Sequence, residues 1–440
     1  MTGGVVIAAP ASGSGKTVIT LALLRAFRAA GIKVGSLKIG PDYIDPGFHR
    51  VASGAECRNY DPWAMRTATL ECQRDCVAGQ VDFIVAEGVT GLFDGAADGT
   101  GSTADAANQL GWPILLVVDV KGQGASAAAL VEGFAHHRKD TRIAGVIFNR
   151  VGSERHRAML AGATGSTGIP IIGMLPRDAA FDFPDRHLGL VQAAELSGLD
   201  RQIDSAAALL AAEIDLTALA DLAGPLTAGT VNPTAPPVPS PGQRVAVASD
   251  DAFSFAYPHI LDGWRDAGTE ISAFSPLADQ APDPTADAVY LPGGYPELHA
   301  GRLAGSRHFI DGIRAAAARG ATIFGECGGY MVLGQGLIDR EGSCFEMAGL
   351  LPVETSFAVP RLHLGYRRLT LGADCFLGMR GDDYRGHEFH YSSQNSSQSG
   401  APPVSALFTA VDATGAALPP AGCRQGNVMG AYVHLIDRAR

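Results

Sequence analysis

Short apolar runs recur along the chain, separated by helix-forming sequence. In the first half they are Val5–Ala9, Val34–Ile39, Phe83–Ala86, Ile114–Val118 and Ile143–Phe148. Ala/Leu-rich helical stretches such as Val18–Ala30 and Ser126–Phe134 lie between several of them. In the second half Val245–Ala248, Ala288–Leu291 and Thr322–Phe324 repeat the theme. Alternating strand and helix signals predict βαβ units and a mostly parallel, doubly wound sheet, so the chain falls in the α/β class. No internal repeat points to a solenoid.

The alternation breaks at residues 224–243, which read GPLTAGTVNPTAPPVPSPGQ and hold six prolines and no charge. Proline at that density excludes a helix or a central strand. This stretch is expected to link two domains, 1–223 and 244–440. A length of 440 residues fits two full-size cores.

Charge narrows the partners. Lys plus Arg number 34 and Asp plus Glu 45, a net charge of −11. That balance argues against a broad nucleic-acid or anionic-membrane surface. The seven cysteines form no disulfide framework, and Cys72 and Cys76 are spaced to share one helix face. The N-terminal residues lack a signal-peptide pattern, and there is no run of 18 apolar residues. A cytoplasmic protein without a membrane span is expected.

The first strand runs into A-P-A-S-G-S-G-K-T, residues 9–17, and then into a helical pattern. A Gly-rich turn between strand and helix aims backbone N–H groups at one point, where the helix dipole favours an anion. Gly13, Gly15, Lys16 and Thr17 match a phosphate-binding loop, although Pro10 stands where its first glycine belongs. Lys16 would reach the β/γ-phosphates of ATP and the Thr17 hydroxyl would bind Mg²⁺. Mg²⁺ beside phosphates also needs a carboxylate. Glu87 ends the strand VDFIVA, Asp94 follows in a Gly-rich loop, Asp42 and Asp45 lie just past the second strand, and Asp119 ends a third apolar run. All sit at the sheet edge where doubly wound folds bind ligands. Lys38, also at a strand end, is placed to balance a substrate carboxylate or transferring phosphate, with Arg58 and His49 as further candidates. Asn149 closes the strand GVIFN, where an adenine contact is expected.

The second half carries different chemistry. Gly325-Glu326-Cys327-Gly328-Gly329 follows a strand and precedes an apolar, helix-like stretch, Tyr330–Leu333. This is the thiol version of a nucleophile elbow: small neighbours permit a sharp turn that exposes the sulfur. A helix N-terminus behind it is expected to lower the thiol pKa. A thiol nucleophile needs a base, and His434, after a short apolar strand, is the candidate. The loop Gly293-Gly294-Tyr295-Pro296 offers oxyanion N–H donors, notably Gly294, with the Gly328 amide as partner. No acid stands two residues after His434, where Ile436 lies. The segment Gly386-His387-Glu388-Phe389-His390 can supply an orienting Glu388 or part of a substrate surface, and makes only a weak metal site.

ATP can turn a carboxylate into an acyl phosphate, and ammonia can then displace the phosphate to give an amide. A Cys/His site beside Gly donors suits glutamine hydrolysis, which releases that ammonia. The combination points to a glutamine-dependent amide ligase. Ammonia must cross between the sites, so domains or protomers are expected to face each other, and a homodimer is expected.

The stretches APASGSGKT, LKIGPDYIDPGFH, CRNYDPW, AEGVTGLFDG, LPGGYPEL, GECGGYMVLG, GHEFHYS and MGAYVHL run from residue 9 to 435. Together they resemble the cobyrinic and hydrogenobyrinic acid a,c-diamide synthases of vitamin B12 biosynthesis. The resemblance implies a dethiobiotin-synthetase-like N-terminal domain and a flavodoxin-like class I glutamine amidotransferase C-terminal domain. It implies ATP- and Mg²⁺-dependent amidation of the a and c acetates of hydrogenobyrinic or cobyrinic acid, with glutamine as nitrogen donor. Cys327 would form the glutamyl thioester with His434 as its base, and Asp45, Glu87 and Asp94 would surround metal and substrate. The alternatives are a related tetrapyrrole amidase (cobyric acid synthase, or the enzyme acting on nickel sirohydrochlorin) and a phosphate-loop nucleotide switch with a non-catalytic second domain. PDYIDP and GHEFHYS favour the a,c-diamide group over cobyric acid synthase, and the intact GECGG elbow speaks against the switch.

Overall fold

The computed structural model describes residues 3–183, 193, 196–226, 229, 235–396 and 405–439. It divides into two compact units, Met1–Trp63 with Leu70–Asn232, and Ala64–Thr69 with Pro233–Arg440.

In the first unit the apolar runs become a seven-stranded parallel sheet: β1 (Gly3–Ala8), β2 (Val34–Ile39), β3 (Cys57–Tyr60), β4 (Phe83–Glu87), β5 (Ile114–Asp119), β6 (Ile143–Val151) and β7 (Ile171–Pro176). Their spatial order is β3-β2-β4-β1-β5-β6-β7. The order reverses around β1, which places a switch point at its C-terminal end. β1, β2 and β4 are buried at every residue, as helices on both faces require. Helix α1 (Lys16–Ala29) is itself a core helix, with Phe27 packed on Phe83 of β4 at 4.6 Å between ring centroids. Helix α2 (Asp45–Ser53) follows β2.

The second unit opens in the same style and ends in another. β8 (Arg244–Ala248), β9 (Glu270–Phe274), β10 (Ala288–Leu291) and β11 (Thr322–Glu326) pair in parallel. β12 (Gly336–Ile338), β13 (Cys344–Glu346), β14 (Val353–Ser356) and β17 (Ser393–Ser396) form a small separate sheet. β15 (His363–Leu371), β16 (Asp383–His390), β18 (Ser405–Asp412), β19 (Ala417–Gln425), β20 (Val428–Ala431) and β21 (Val433–Arg438) extend the main sheet. Its order is β21-β16-β15-β18-β19-β20-β11-β10-β8-β9, antiparallel from β21 to β20 and parallel from β20 onward. The alternating pattern of helix and strand therefore holds only for the first part of this unit.

The Pro-rich stretch is built in at both described ends. Gly224 bridges Gly4 through two 2.9 Å backbone hydrogen bonds and so closes the first unit. Val238 is buried and its carbonyl accepts from Trp264 Nε1 at 2.9 Å, while the Pro237 carbonyl accepts from Arg438 N at 3.1 Å. Residues 227, 228 and 230–234 of the expected linker lie outside the described residues. The segment Ala64–Thr69 joins the second unit because a buried carboxylate needs donors. Asp437 accepts from Arg66 N, Arg66 Nε and Thr69 Oγ1 at 2.9, 2.8 and 2.6 Å. Among the described residues no helix is long and apolar enough to cross a membrane.

Candidate active sites

In the first unit the sheet register assembles the site. Ile7 of β1 and Lys38 of β2 are both Cα partners of Glu87 on β4. Three strands thus deliver their C-terminal ends to one point. Gly13 and Gly15 turn the chain there with φ of 80° and 95°, a region that glycine enters without steric cost. Thr17 Oγ1 donates to Glu87 Oε1 at 2.6 Å. Lys38 Nζ donates to Asp45 Oδ2 at 2.6 Å and to Glu87 Oε1 at 2.8 Å, and His49 Nε2 meets Glu87 Oε2 at 2.6 Å. Asp45 opens α2, held by the Asp42 carboxylate, which accepts from Ile44 N and Asp45 N. Lys16 is buried and its ammonium donates to the Thr90 carbonyl.

Lys38, Glu87, Asp45 and His49 are all buried, so their charges must balance locally. Burial alone would lower Lys38, but the Asp45 and Glu87 carboxylates prevail and raise it. Burial alone would raise Glu87, but the Lys38 ammonium and His49 hold it well below the usual carboxylate range. Burial lowers Lys16, against the pull of Glu87, Asp45 and Asp94. A hydroxyl and two carboxylates clustered beside a phosphate loop form an all-oxygen donor set that fits a hard cation such as Mg²⁺.

The four remaining candidates make contacts of their own. Arg58 is the register partner of Leu37, so it projects from the sheet face opposite Lys38. There its guanidinium donates to Glu56 at 2.9 Å, outside the Lys38 cluster. Asn149 braces the phosphate loop: Nδ2 donates to the Ser14 carbonyl at 3.0 Å and Oδ1 accepts from Arg150 N at 2.9 Å. Both ends of the amide thus engage backbone groups of the loop and of β6. Asp94 Oδ2 accepts from Gly91 N at 3.0 Å and shapes the loop whose Thr90 carbonyl receives Lys16. Asp119 accepts from Arg150 Nη1 at 2.6 Å.

In the second unit Cys327 leaves β11 with φ 46° and ψ −108° and the short helix Gly328–Leu333 follows. A non-glycine residue at positive φ between strand and helix is the strained turn that the elbow predicts. Gly293 lies against both the His434 imidazole and the Cys327 side chain. A Cβ there would lie 2.2 Å from His434 Cε1 and 3.3 Å from Cys327 Cβ. A Cβ on Gly328 would lie 3.0 Å from Gly294 N, so the two glycines proposed for the oxyanion lie side by side. Gly293→Ala is expected to cut glutamine-dependent activity by about 100-fold, since displacing a reacting group by about 1 Å costs that much. Ammonia-dependent activity should stay intact. Steady-state rates with each nitrogen source decide it, and an unchanged glutamine rate would contradict this packing.

The thiol itself departs from expectation. Burial pushes Cys327 up, and the Glu297 and Glu388 carboxylates add to this, while the Gly328 amide pulls the other way. The Gly328–Leu333 helix is too short to overcome that.

His434 lies within β21, opposite His387 of β16, and is fully buried. Burial lowers it to about 3, the nearby His387 and His390 act in the same sense, and a hydrogen bond with the Phe255 backbone opposes them. Glu388 does not orient it. Glu388 Oε2 accepts from Arg367 Nε at 2.7 Å, and Oε1 meets His390 Nε2 at 3.0 Å. The ligand atoms of His363, Glu388 and His390 lie within 4.8 Å of one another. The two imidazoles stack at 4.6 Å, and the Arg367 guanidinium pairs with Glu388.

Because His434 protonates near 6.5 when unfolded but near 3 when folded, the unfolded state holds the extra proton between those values. Stability must fall as pH drops through that window. His434→Gln should remove about 1.4 kcal/mol per pH unit of that fall between about pH 6 and pH 4. Urea midpoints across that range measure it, and equal slopes for the two proteins would contradict the burial argument.

Sequence reasoning left three residues without a role. Thr90, at φ 50°, offers the carbonyl that receives Lys16. Glu297, in GGYPEL, is buried and pushed up to about 7 by burial. Glu326 stands inside GECGG, where its adjacency to Cys327 was the only signal.

Residues 5–191 match a CobQ/CobB/MinD/ParA nucleotide binding domain, and residues 244–440 match a CobB/CobQ-like glutamine amidotransferase domain. The chain is 52% identical over 434 residues to a hydrogenobyrinate a,c-diamide synthase of Rhizobium meliloti (strain 1021), covering 99% of both chains. It is 53% identical over 439 residues to the protein so named in Brucella suis biovar 1 (strain 1330), covering 99% of this chain and 98% of that one. At that identity over full length, with a nucleotide-binding and a glutamine amidotransferase domain in one polypeptide, the chain belongs to the hydrogenobyrinate a,c-diamide synthase family of glutamine-hydrolysing ligases.

Proposed function

We propose that the chain amidates the a and c acetate carboxylates of hydrogenobyrinic or cobyrinic acid, using ATP and glutamine. The observation that carries this reading is the presence of two chemically different sites in one chain. One gathers Lys16, Thr17, Lys38, Asp45 and Glu87 at a phosphate loop. The other sets Cys327 and His434 against Gly293. The names of the full-length relatives favour hydrogenobyrinate as the substrate.

In the first site a substrate carboxylate oxygen attacks the γ-phosphorus of ATP and ADP leaves, giving an acyl phosphate. Ammonia attacks the acyl carbon, the phosphate departs with the former carboxylate oxygen, and loss of a proton leaves the amide. Lys16 and Lys38 bear on the transferring charge, the role that fixed cations play in phosphoryl transfer. Thr17 and Glu87, with Asp45 beside them, would hold Mg²⁺, which when bound neutralises phosphate charge. In the second site the Cys327 sulfur attacks the glutamine amide carbon, with His434 accepting the thiol proton and passing it to the leaving ammonia. The Gly294 and Gly328 amides receive the developing oxyanion, and water then releases glutamate from the thioester. His434 is neutral and so able to accept a proton, but burial makes it a weak base and the thiol a weak acid, so proton transfer must accompany attack on the amide carbon.

Carboxylate-¹⁸O-labelled substrate tests the acyl phosphate. One ¹⁸O is expected in inorganic phosphate for each amide formed. Amide formation with unlabelled phosphate would rule that route out.

A further inference from the structure

Glu326 stands between the two residues assigned to glutamine chemistry and has no role in the steps above. It is 2% exposed. Its Oε2 accepts from the Tyr290 hydroxyl at 2.6 Å and its Oε1 from the backbone N–H of Leu435 at 2.9 Å. Neither donor is a cation, and burial pushes the carboxyl up to about 7. An acid held out of water without a counter-ion is unfavourable, so packing alone does not account for it.

The strand layout does. β21, which carries His434, is hydrogen-bonded to β16 at the far end of the sheet order and not to β11, which carries the elbow. β11 pairs instead with β20, ending at Glu326 opposite Ala431, so beyond that point the strand carrying His434 is tied to the elbow by contacts outside the ladder. Two hydrogen bonds from successive residues of the elbow mark the ends of this span. Cys327 N donates to the Ala431 carbonyl at 2.8 Å, and Leu435 N donates to Glu326. They bracket residues 431–435. The second uses an amide where the β16–β21 register slips, between Arg385 and Gly386. Tyr290, on the neighbouring strand β10, stacks on Phe324 and meets Trp264 edge-on, which fixes the hydroxyl that holds the other carboxylate oxygen.

We propose that Glu326 is a positioning residue of the glutamine site: its carboxylate clamps the His434 strand to the Cys327 elbow and keeps imidazole and thiol aligned through turnover. The proposal rests on reading Cys327 and His434 as the glutamine-hydrolysing pair, and its test separates the two.

The full-length protein is assayed for glutamine hydrolysis and for ammonia-dependent amidation as wild type, Glu326→Ala, Glu326→Gln and Cys327→Ala. Glu326→Ala should lower kcat for glutamine hydrolysis by about 100-fold with KM within about threefold, the split expected when alignment rather than binding is lost. Glu326→Gln should recover kcat to within about tenfold of wild type, because its amide oxygen accepts from Leu435 N while its NH₂ donates to Tyr290. Ammonia-dependent amidation should be unchanged in both. A wild-type kcat in Glu326→Ala overturns the clamp. So does a Glu326→Gln variant as slow as Glu326→Ala, which would mean that the ionised carboxylate takes part in chemistry. If Glu326→Ala does not fold, Glu326→Asp replaces it. The side chain is then one methylene too short to reach Leu435, kcat should fall with KM preserved, and a wild-type kcat again overturns the clamp. Glutamine hydrolysis persisting in Cys327→Ala would instead remove the pair on which the clamp acts.

Discussion

Cys327→Ala is expected to abolish glutamine-dependent amidation, by at least about 10⁴-fold, while leaving ammonia-dependent amidation near the wild-type rate. The size follows from covalent catalysis: without the sulfur no thioester forms, and the remaining oxyanion donors act on nothing. The substitution is also structurally mild. Cys327 lies in the hydrophobic cluster of the second unit beside Tyr330 and Met331, so alanine removes one buried sulfur and retains the backbone turn. Parallel rate measurements with glutamine and with an ammonium salt check it. Loss of both activities would mean that the thiol supports the fold, and retention of both would remove it from the reaction.

Lys16→Ala should fail with either nitrogen source, by at least about 100-fold, because the acyl carbon must be activated before any amine attacks it. Lys16 is the first residue of α1, and its buried ammonium donates to the Thr90 carbonyl. Removing it leaves the Glu87, Asp45 and Asp94 carboxylates with one cation fewer, so the loss includes electrostatic imbalance in the empty site. Substrate-dependent ADP release with ammonium salt measures the effect. Wild-type release would contradict the phosphate-loop assignment.

The parts of this molecule that sequence could reveal are those encoded locally. Fully buried parallel strands read as apolar runs, which is why β1, β2, β4 and β5 were legible. β3 is just as buried but reads CRNY, and no hydrophobic pattern marks it. The antiparallel strands were silent for a related reason: β19 reads ALPPAGCRQ and β15 HLGYRRLTL, without clean alternation. At the sites, Lys16, Thr17 and Cys327 were legible because a turn beside a strand end needs small neighbours within a few residues. The sheet face on which Arg58 stands depends on register with Leu37, which no local spacing states. The group that bonds His434 is part of the Phe255 backbone, which has no residue-type signature. Glu326 finds its partner 109 residues away, so its adjacency to Cys327 was visible and its contact was not.

The central claim is that one chain joins ATP-dependent activation of corrin carboxylates to nitrogen taken from glutamine. Mass spectrometry of hydrogenobyrinic acid and cobyrinic acid, each incubated with the enzyme, ATP, Mg²⁺ and amide-¹⁵N-labelled glutamine, tests it most directly. Two successive OH-to-¹⁵NH₂ exchanges on at least one of these substrates are the result predicted. No exchange on either substrate, with glutamine still hydrolysed, would contradict it.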